Sequence, residues 1–319
     1  FFLKADLLRT VFSINVILTV FLRNTFLEKL ITTTEFGFYL ILKFGIASIL
    51  KVRPSRQCRT LLKNYDIRGV DTPMSEKINK THKVITEDGS ALKKYQKVIL
   101  GTNSIFFLFY FEICSWISKF PGALGIILRK IFWPSLFASC GKGVLFAENI
   151  ILRHPRRIHL GDNIVISENC VLDARHDTES DVINLEDDVI LSVNVMISCK
   201  NGSVAIGKRT GISAQTVIHS TNDCPVSIGS DVIIGAQSYL VGGGNYNFSD
   251  PLIPIKDQGI KNDGGLTIQN NVWIGAKVVA LGGTTIETGS IIGASAVVTK
   301  DIPANSICSG IPATVNKTR

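Results

Sequence analysis

The chain has 319 residues, 45% of them apolar, with a net charge of +8, which allows two domains or one extended repeat domain around a sizeable core. The charge is unevenly divided: residues 1–158 carry 24 Lys/Arg against 10 Asp/Glu, and residues 159–319 carry 10 against 16. No RNA- or DNA-binding signature accompanies the basic half, so nucleic acid is excluded and an anionic membrane face is the partner that the asymmetry suggests.

Seven cysteines (Cys58, Cys114, Cys140, Cys170, Cys199, Cys224, Cys308) form no CxxC pair and no cluster with histidine. Their odd number and scattered spacing speak against a disulfide framework and a zinc site, and for a reducing, cytoplasmic compartment. Small buried hydrophobes is the ordinary reading of such residues. No metal site is expected.

Residues 1–73 contain no methionine, and the first is Met74. A self-contained unit is expected to begin there, with 1–73 an apolar and basic helical segment, fused or upstream. The stretches "VFSINVILTVFL" (11–22) and "FGFYLILKFGIASIL" (36–50, with Lys43) fall short of the roughly 18–20 apolar residues of a membrane span. "SIFFLFYFEICSWI" (104–117) is interrupted by Glu112 and flanked by Lys93, Lys94, Lys97, Lys119, Arg129 and Lys130. Residues 74–145 therefore read as amphipathic helices. They either lie at a membrane surface or form a helical layer packed on the next domain.

From Leu160 onward an aliphatic residue returns every six positions. The series runs Leu160, Ile166, Leu172; Leu185, Leu191, Ile197; Ile206, Ile212, Ile218; Ile228, Ile234, Leu240; and Ile268, Ile274, Ala280, Ile286, Ile292, Val298. A period of six suits neither a helix nor a simple strand and marks a parallel β-helix, three hexads to a triangular coil. The residue four places on (Ile164, Cys170, Val189, Val195, Val232, Ser238, Val272) should also point inward. Gly, Asn and Asp should occupy the corners, where the backbone must turn tightly.

Every break in the period falls between a third face and the next first face. Leu172 to Leu185 has seven extra residues, Ile197 to Ile206 three, Ile218 to Ile228 four and Leu240 to Ile268 twenty-two. The insertions should therefore stack on one edge of the prism, where function is expected because loops on a rigid scaffold usually carry it.

The segments "PGALGIILRK", "LRHPRRIHLGDNIVI", "NNVWIGAKVVALGGTTI" and "GSIIGASAVVTKDIPANSICSGIPATV" resemble the hexapeptide-repeat acyltransferases, over roughly residues 120–319. The "VWIGA", "VVTKDIP" and "SGIPA" combination is the specific part; "PGALG" and "LRHP" look like a subgroup associated with surface polysaccharide or glycolipid O-acetylation. The resemblance implies a mainly β fold, a left-handed parallel β-helix of about six coils over 146–303, with a loop at 241–267 and a tail at 304–319. It also implies a homotrimer, acetyl-CoA as donor, and a sugar or a glycan- or lipid-linked precursor as acceptor, at the cytoplasmic face of a membrane.

By position, the resemblance implies that Trp273, Gly275, Ala276, Gly293 and Ala294 flank the pantetheine arm and that Thr299 and Lys300 lie near the CoA phosphates. Coil packing alone is the competing account of each Gly and Ala. The family's histidine before "FSDP"-like residues is Tyr246 here, and a phenol with an ordinary pKa of about 10 is a poor base at neutral pH. His219 is the replacement candidate, one coil below, at about 4.8 Å per coil, with Asp223 or Asp250 to orient its imidazole. A surface corner histidine is the alternative for His219. Asn222, Asp223 and Asp250 are the candidate acceptor-binding residues, and His176 lies about three coils below the Tyr246 loop.

A rival reading is a catalytically silent β-helix that binds glycan or scaffolds surface polysaccharide assembly. A γ-carbonic anhydrase would need three zinc-binding histidines, and no third histidine stands near His176 and His219. Nucleotidyl transfer would need a phosphate-binding loop, which 1–158 lacks.

Overall fold

A computed structural model describes residues 89–319. The expected start at Met74, the segment 1–73 and the first part of the helical region 74–145 lie outside the described residues. The described part opens with three helices: α1 (Ala91–Tyr95), which runs on through a wider turn at Gln96–Leu100, α2 (Ile105–Ser118) and α3 (Gly122–Phe132). Ser90 and Ser104 cap α1 and α2, their hydroxyls accepting from the Lys93 and Phe107 amides, the usual remedy for unpaired amides at a helix start.

One buried side chain pins this helical layer to the first strands. Arg129, 1% exposed, donates to the carbonyls of Ile117, Ser118 and Phe120 around the end of α2, and to Phe146 in the first coil. Each of these acceptors is a carbonyl, and those at the end of α2 are the ones a helix terminus leaves over. Gly125 lies one turn away, where a Cβ would sit 1.9 Å from the Phe120 oxygen.

The rest is a parallel β-helix of seven coils, with seven parallel strands on each of three faces. First-face strands run from Ser139–Cys140 to Thr284–Ile286, second-face strands from Leu145–Phe146 to Ile291–Ile292, and third-face strands from Ile151–Arg153 to Val297–Val298. All eighteen hexad positions, Leu160 to Val298, are buried, as are the seven predicted companions. Their side chains fill the prism, and each strand bonds only to the coils above and below.

Two expectations need correction. The solenoid starts at Ser139, before residue 146, and has seven coils, one more than the aliphatic series suggested. Its first coil keeps the spacing but uses Cys140, Phe146 and Leu152, so the aliphatic signature is absent. The corners also accept more than Gly, Asn and Asp: Arg209, Gln215, Gln237, Lys277 and Ser295 adopt φ between 55° and 61°. Side chains stacked from coil to coil offset that strain in part. Gln237 donates to Gln215 at 2.8 Å, and Arg209 pairs with Asp231 at 2.7 Å.

The faces differ outside. The outward column of the first face is polar over much of its length (Asn184, Ser227, Thr267, Thr285). That of the second runs through Val165, Ile190, Ile233, Trp273 and Ile291, and that of the third through Val171, Met196, Val217, Tyr239 and Val279. At the far end, Ser306–Ser309 adds to the second face and Thr314–Thr318 folds back antiparallel on it. Cys140 is half-buried and the other five described cysteines are buried thiols. Burial pushes Cys170 up to about 11, so these groups pack and do not ionise at neutral pH.

Candidate active site

The insertions do stack on one edge, between the third and first faces. Polar groups join successive loops there. Asp177 and Asn201 exchange hydrogen bonds of 2.9 and 3.0 Å, and the Asp223 amide donates to the Asn201 carbonyl.

His219 lies on the third-face strand Val217–Thr221, in register with Ser198 below and Val241 above. Its ring is half-buried, and burial, then the nearby Lys200, lowers its pKa below the ordinary histidine value, against the Ser198 carbonyl and Asp173. A neutral imidazole carries one donor nitrogen and one acceptor nitrogen. Asp173 is buried and held by Arg153 at 3.3 Å and Arg175 at 2.7 Å.

Neither expected orienting carboxylate reaches His219. Asp223 faces His176 instead, with Oδ1 3.8 Å from Nε2. Asn222 and Asp223 both have positive φ (55° and 57°), and this tight turn sends Asp223 toward a loop two coils below. His176 Nδ1 accepts from the Thr178 and Glu179 amides at 3.2 and 2.9 Å, so in the neutral ring the proton sits on Nε2. That tautomer turns its N–H toward Asp223, at a separation longer than a hydrogen bond. Asp250 serves the loop tip, its Oδ1 accepting from the Leu252 amide at 2.8 Å. Asn222 forms part of the turn.

Loop 241–267 folds back on itself as a two-stranded ribbon, Asn245–Tyr246 against Ile260–Lys261. Two residues missed at the sequence level hold it. Asp263 accepts from the Gly243 and Gly265 amides and from Asn245, tying the two ends of the loop together. Gln258 closes the tip on the Asp250 and Ile253 carbonyls, each at 2.7 Å. No spacing in the sequence names their partners, which lie from two to twenty residues away along the chain. Between the ribbon and the next coil lies a cavity of about 600 Å³, lined by Tyr246, Phe248, Ile255, Lys261, Asp263 and Gly283 among others. Tyr246 is therefore at the cavity, 48% exposed, and His219 is not among its lining residues. The structure does not join the two by a hydrogen bond.

The residues assigned to the cofactor occupy two corners. Trp273 points outward from the second face, 55% exposed. Gly275 with Ala276, and Gly293 with Ala294, form successive turns from the second to the third face, bonded coil to coil. Thr299 and Lys300 are exposed at the next corner, past Val297–Val298. Packing alone requires Gly275, since a Cβ there would lie 2.6 Å from the Ala294 amide; at Gly293 the nearest atom is the Ser309 Cβ at 3.0 Å.

Residues 265–300 match the family described as bacterial transferase hexapeptide (six repeats). The chain is 38% identical over 94 residues to galactoside O-acetyltransferase of Escherichia coli, covering 30% of this chain and 44% of that one. It is 37% identical over 123 residues to a Mycobacterium tuberculosis protein described as a probable acetyltransferase, covering 39% of this chain and 40% of the other. A variant of the Bacillus cereus N-acyltransferase AntD, solved with dTDP-4-amino-4,6-dideoxyglucose and coenzyme A, is 20% identical with a TM-score of 0.41, over 63% of this chain and 91% of that one. The solenoid is thus similar to bacterial hexapeptide transferases, with residues 265–300 the part that the family description matches. The chain spans less than half the length of the two curated relatives named here.

Proposed function

We propose that the protein is a CoA-dependent acyltransferase that moves an acetyl group to a hydroxyl of a sugar or of a glycan- or lipid-linked precursor. The observation that carries this reading is the hexapeptide match over residues 265–300, supported by the similarity to galactoside O-acetyltransferase. His219 is the base. Its acceptor nitrogen takes the proton of the acceptor hydroxyl, the oxygen attacks the thioester carbonyl, and the carbon–sulfur bond breaks. The CoA thiolate then recovers the proton from the imidazolium. The lowered pKa supports this role because it keeps the imidazole neutral at neutral pH.

Tyr246, one coil above His219, holds a part of the acceptor remote from the reacting hydroxyl in the loop cavity. Trp273, Gly275, Ala276, Gly293 and Ala294 flank the pantetheine arm, and Thr299 and Lys300 meet the phosphates. Three chains assemble through the apolar second and third faces, whose exposed Ile233 and Trp273 (60% and 55%) otherwise face water. Light scattering should give a trimer mass that Ile233→Asp lowers.

The deciding measurement is thiol release from acetyl-CoA with a panel of sugar acceptors. His219→Ala should lose about 10²–10⁴-fold in rate, and Tyr246→Phe should mainly raise the acceptor KM. Loss confined to Tyr246→Phe would transfer the role to the phenol. CoA binding without thiol release by the wild type would favour a silent glycan-binding scaffold, the reading that the tyrosine at the family's histidine position supports.

A further inference from the structure

We propose that the outward face of the α2–α3 hairpin is a docking platform for an anionic lipid bilayer. The helix α2 is apolar on two opposite sides. Phe107, Leu108, Phe111 and Cys114 are buried against the core, while Phe106, Phe109, Ile113 and Trp116 are exposed on the other side. Their spacing of three and four places them on one helical face. On α3 the exposed Leu124, Ile127 and Ile131 repeat the pattern, opposite the buried Gly125 and Arg129.

Isolated exposed apolar residues are ordinary, but one helical face that carries Phe106 90% exposed and Trp116 77% exposed together with Phe109 and Ile113 calls for an occupant. The helix is too short to cross a bilayer: fourteen residues rise about 21 Å against a hydrocarbon core of about 30 Å. Among the described residues no single helix is long and apolar enough to cross a membrane. Phe and Trp on one face of such a helix suit the boundary between headgroups and acyl chains.

Charge selects the occupant. Residues 89–138 hold six Lys/Arg against one Asp/Glu. That one acid, Glu112, is engaged by the Tyr95 hydroxyl at 2.5 Å, and Arg129 is buried. Lys93, Lys97, Lys119 and Lys130 are exposed, the last two at the ends of the helices that carry the apolar face. A second copy would bring like charges together. Residues 1–88 carry 14 Lys/Arg against 8 Asp/Glu, the same sign again. An anionic surface that also accepts apolar side chains meets both requirements.

The test is flotation of the full chain with vesicles of phosphatidylcholine alone and of phosphatidylcholine mixed with phosphatidylglycerol. The wild type should float with the mixed vesicles only, and added salt should release it, a readout that needs no variant. Lys119→Glu with Lys130→Glu should weaken binding at least about tenfold, and Phe106→Glu with Trp116→Glu should abolish it, with unfolding temperatures unchanged. Binding that ignores salt and both pairs would overturn the proposal. So would a wild type that ignores vesicles: a mass by light scattering that falls in Phe106→Glu with Trp116→Glu would give the face to a second copy, and an unchanged mass would give it to another segment of the same chain.

Discussion

Between the second and third faces, the interval from one buried hexad residue to the next is six in all seven coils, from Phe146 and Leu152 to Ile292 and Val298. Between the third and first faces the intervals over the first six coils are eight, thirteen, nine, ten, twenty-eight and six. The same sheets thus turn one corner under a rigid rule and the other with almost none. At the regular corner the turns stack backbone on backbone, so an inserted residue would break the register of both neighbours. At the irregular corner the chain leaves the ladder and returns to it, and closing a longer loop costs little extra. Variation collects where it is cheapest, and the proposed reacting groups lie in it or beside it.

The largest expected effect uses this contrast. Replacing residues 248–257 with a short Asn-Gly turn should lower thiol release more than about 100-fold, since it removes cavity walls that hold the acceptor. The unfolding midpoint should stay close to wild type because every coil keeps its ladder. A protein that unfolds cooperatively at much lower denaturant would show that the loop supports the coils and the two corners are not independent.

Glycine substitutions sharpen the same point. Gly275→Val forces a Cβ to within 2.6 Å of the Ala294 amide and should cost about 2–3 kcal/mol in denaturant unfolding. Gly264→Ala, in the loop, meets no atom within 4 Å at φ +84° and should cost only about 1 kcal/mol for the backbone conformation. Equal costs would contradict the distinction.

The smallest effect is in pH. Burial, as the leading cause, lowers both His154 and His219, so below the ordinary histidine value of about 6.5 the unfolded chain binds more protons than the folded one. Stability should therefore be flat above that value and fall as pH drops below it, through the lowered pKa values. Denaturant midpoints on either side of it would check this, and equal midpoints would mean that neither ring is desolvated. The base limb of thiol release should likewise lie on the acid side of the ordinary value.

The β-helix and the loaded edge were legible because both rest on spacing. Ile, Leu and Val recurring at sixfold spacing over residues 160–298 run far beyond any single strand and miss the helical period, which leaves a coil of six-residue faces, and an insertion shows as a miscount. The first coil was less legible, since Cys140 and Phe146 fill the prism without the aliphatic pattern. Partner choice within the site was not legible at all. Asp223 stands four residues from His219 in sequence, yet two consecutive positive φ angles carry it to His176. Asp263 holds Gly243 across twenty residues, and nothing in "NDGG" distinguishes such a tie from a bare turn. Periodicity is a property of many residues together, whereas a hydrogen bond depends on one dihedral.

Each end of the prism is where the ladders stop, and a stack of parallel strands whose last rung is bare would template further rungs from another molecule. Here the α3 layer, anchored by Arg129 to the Phe146 carbonyl, lies against the first coil. At the other end Thr314–Thr318 runs antiparallel on Ser306–Ser309, a direction that a following parallel coil could not extend. A solenoid built by repetition carries no internal signal for its own length, so the helical layer at one end and this antiparallel strand on the second face at the other oppose end-to-end growth there.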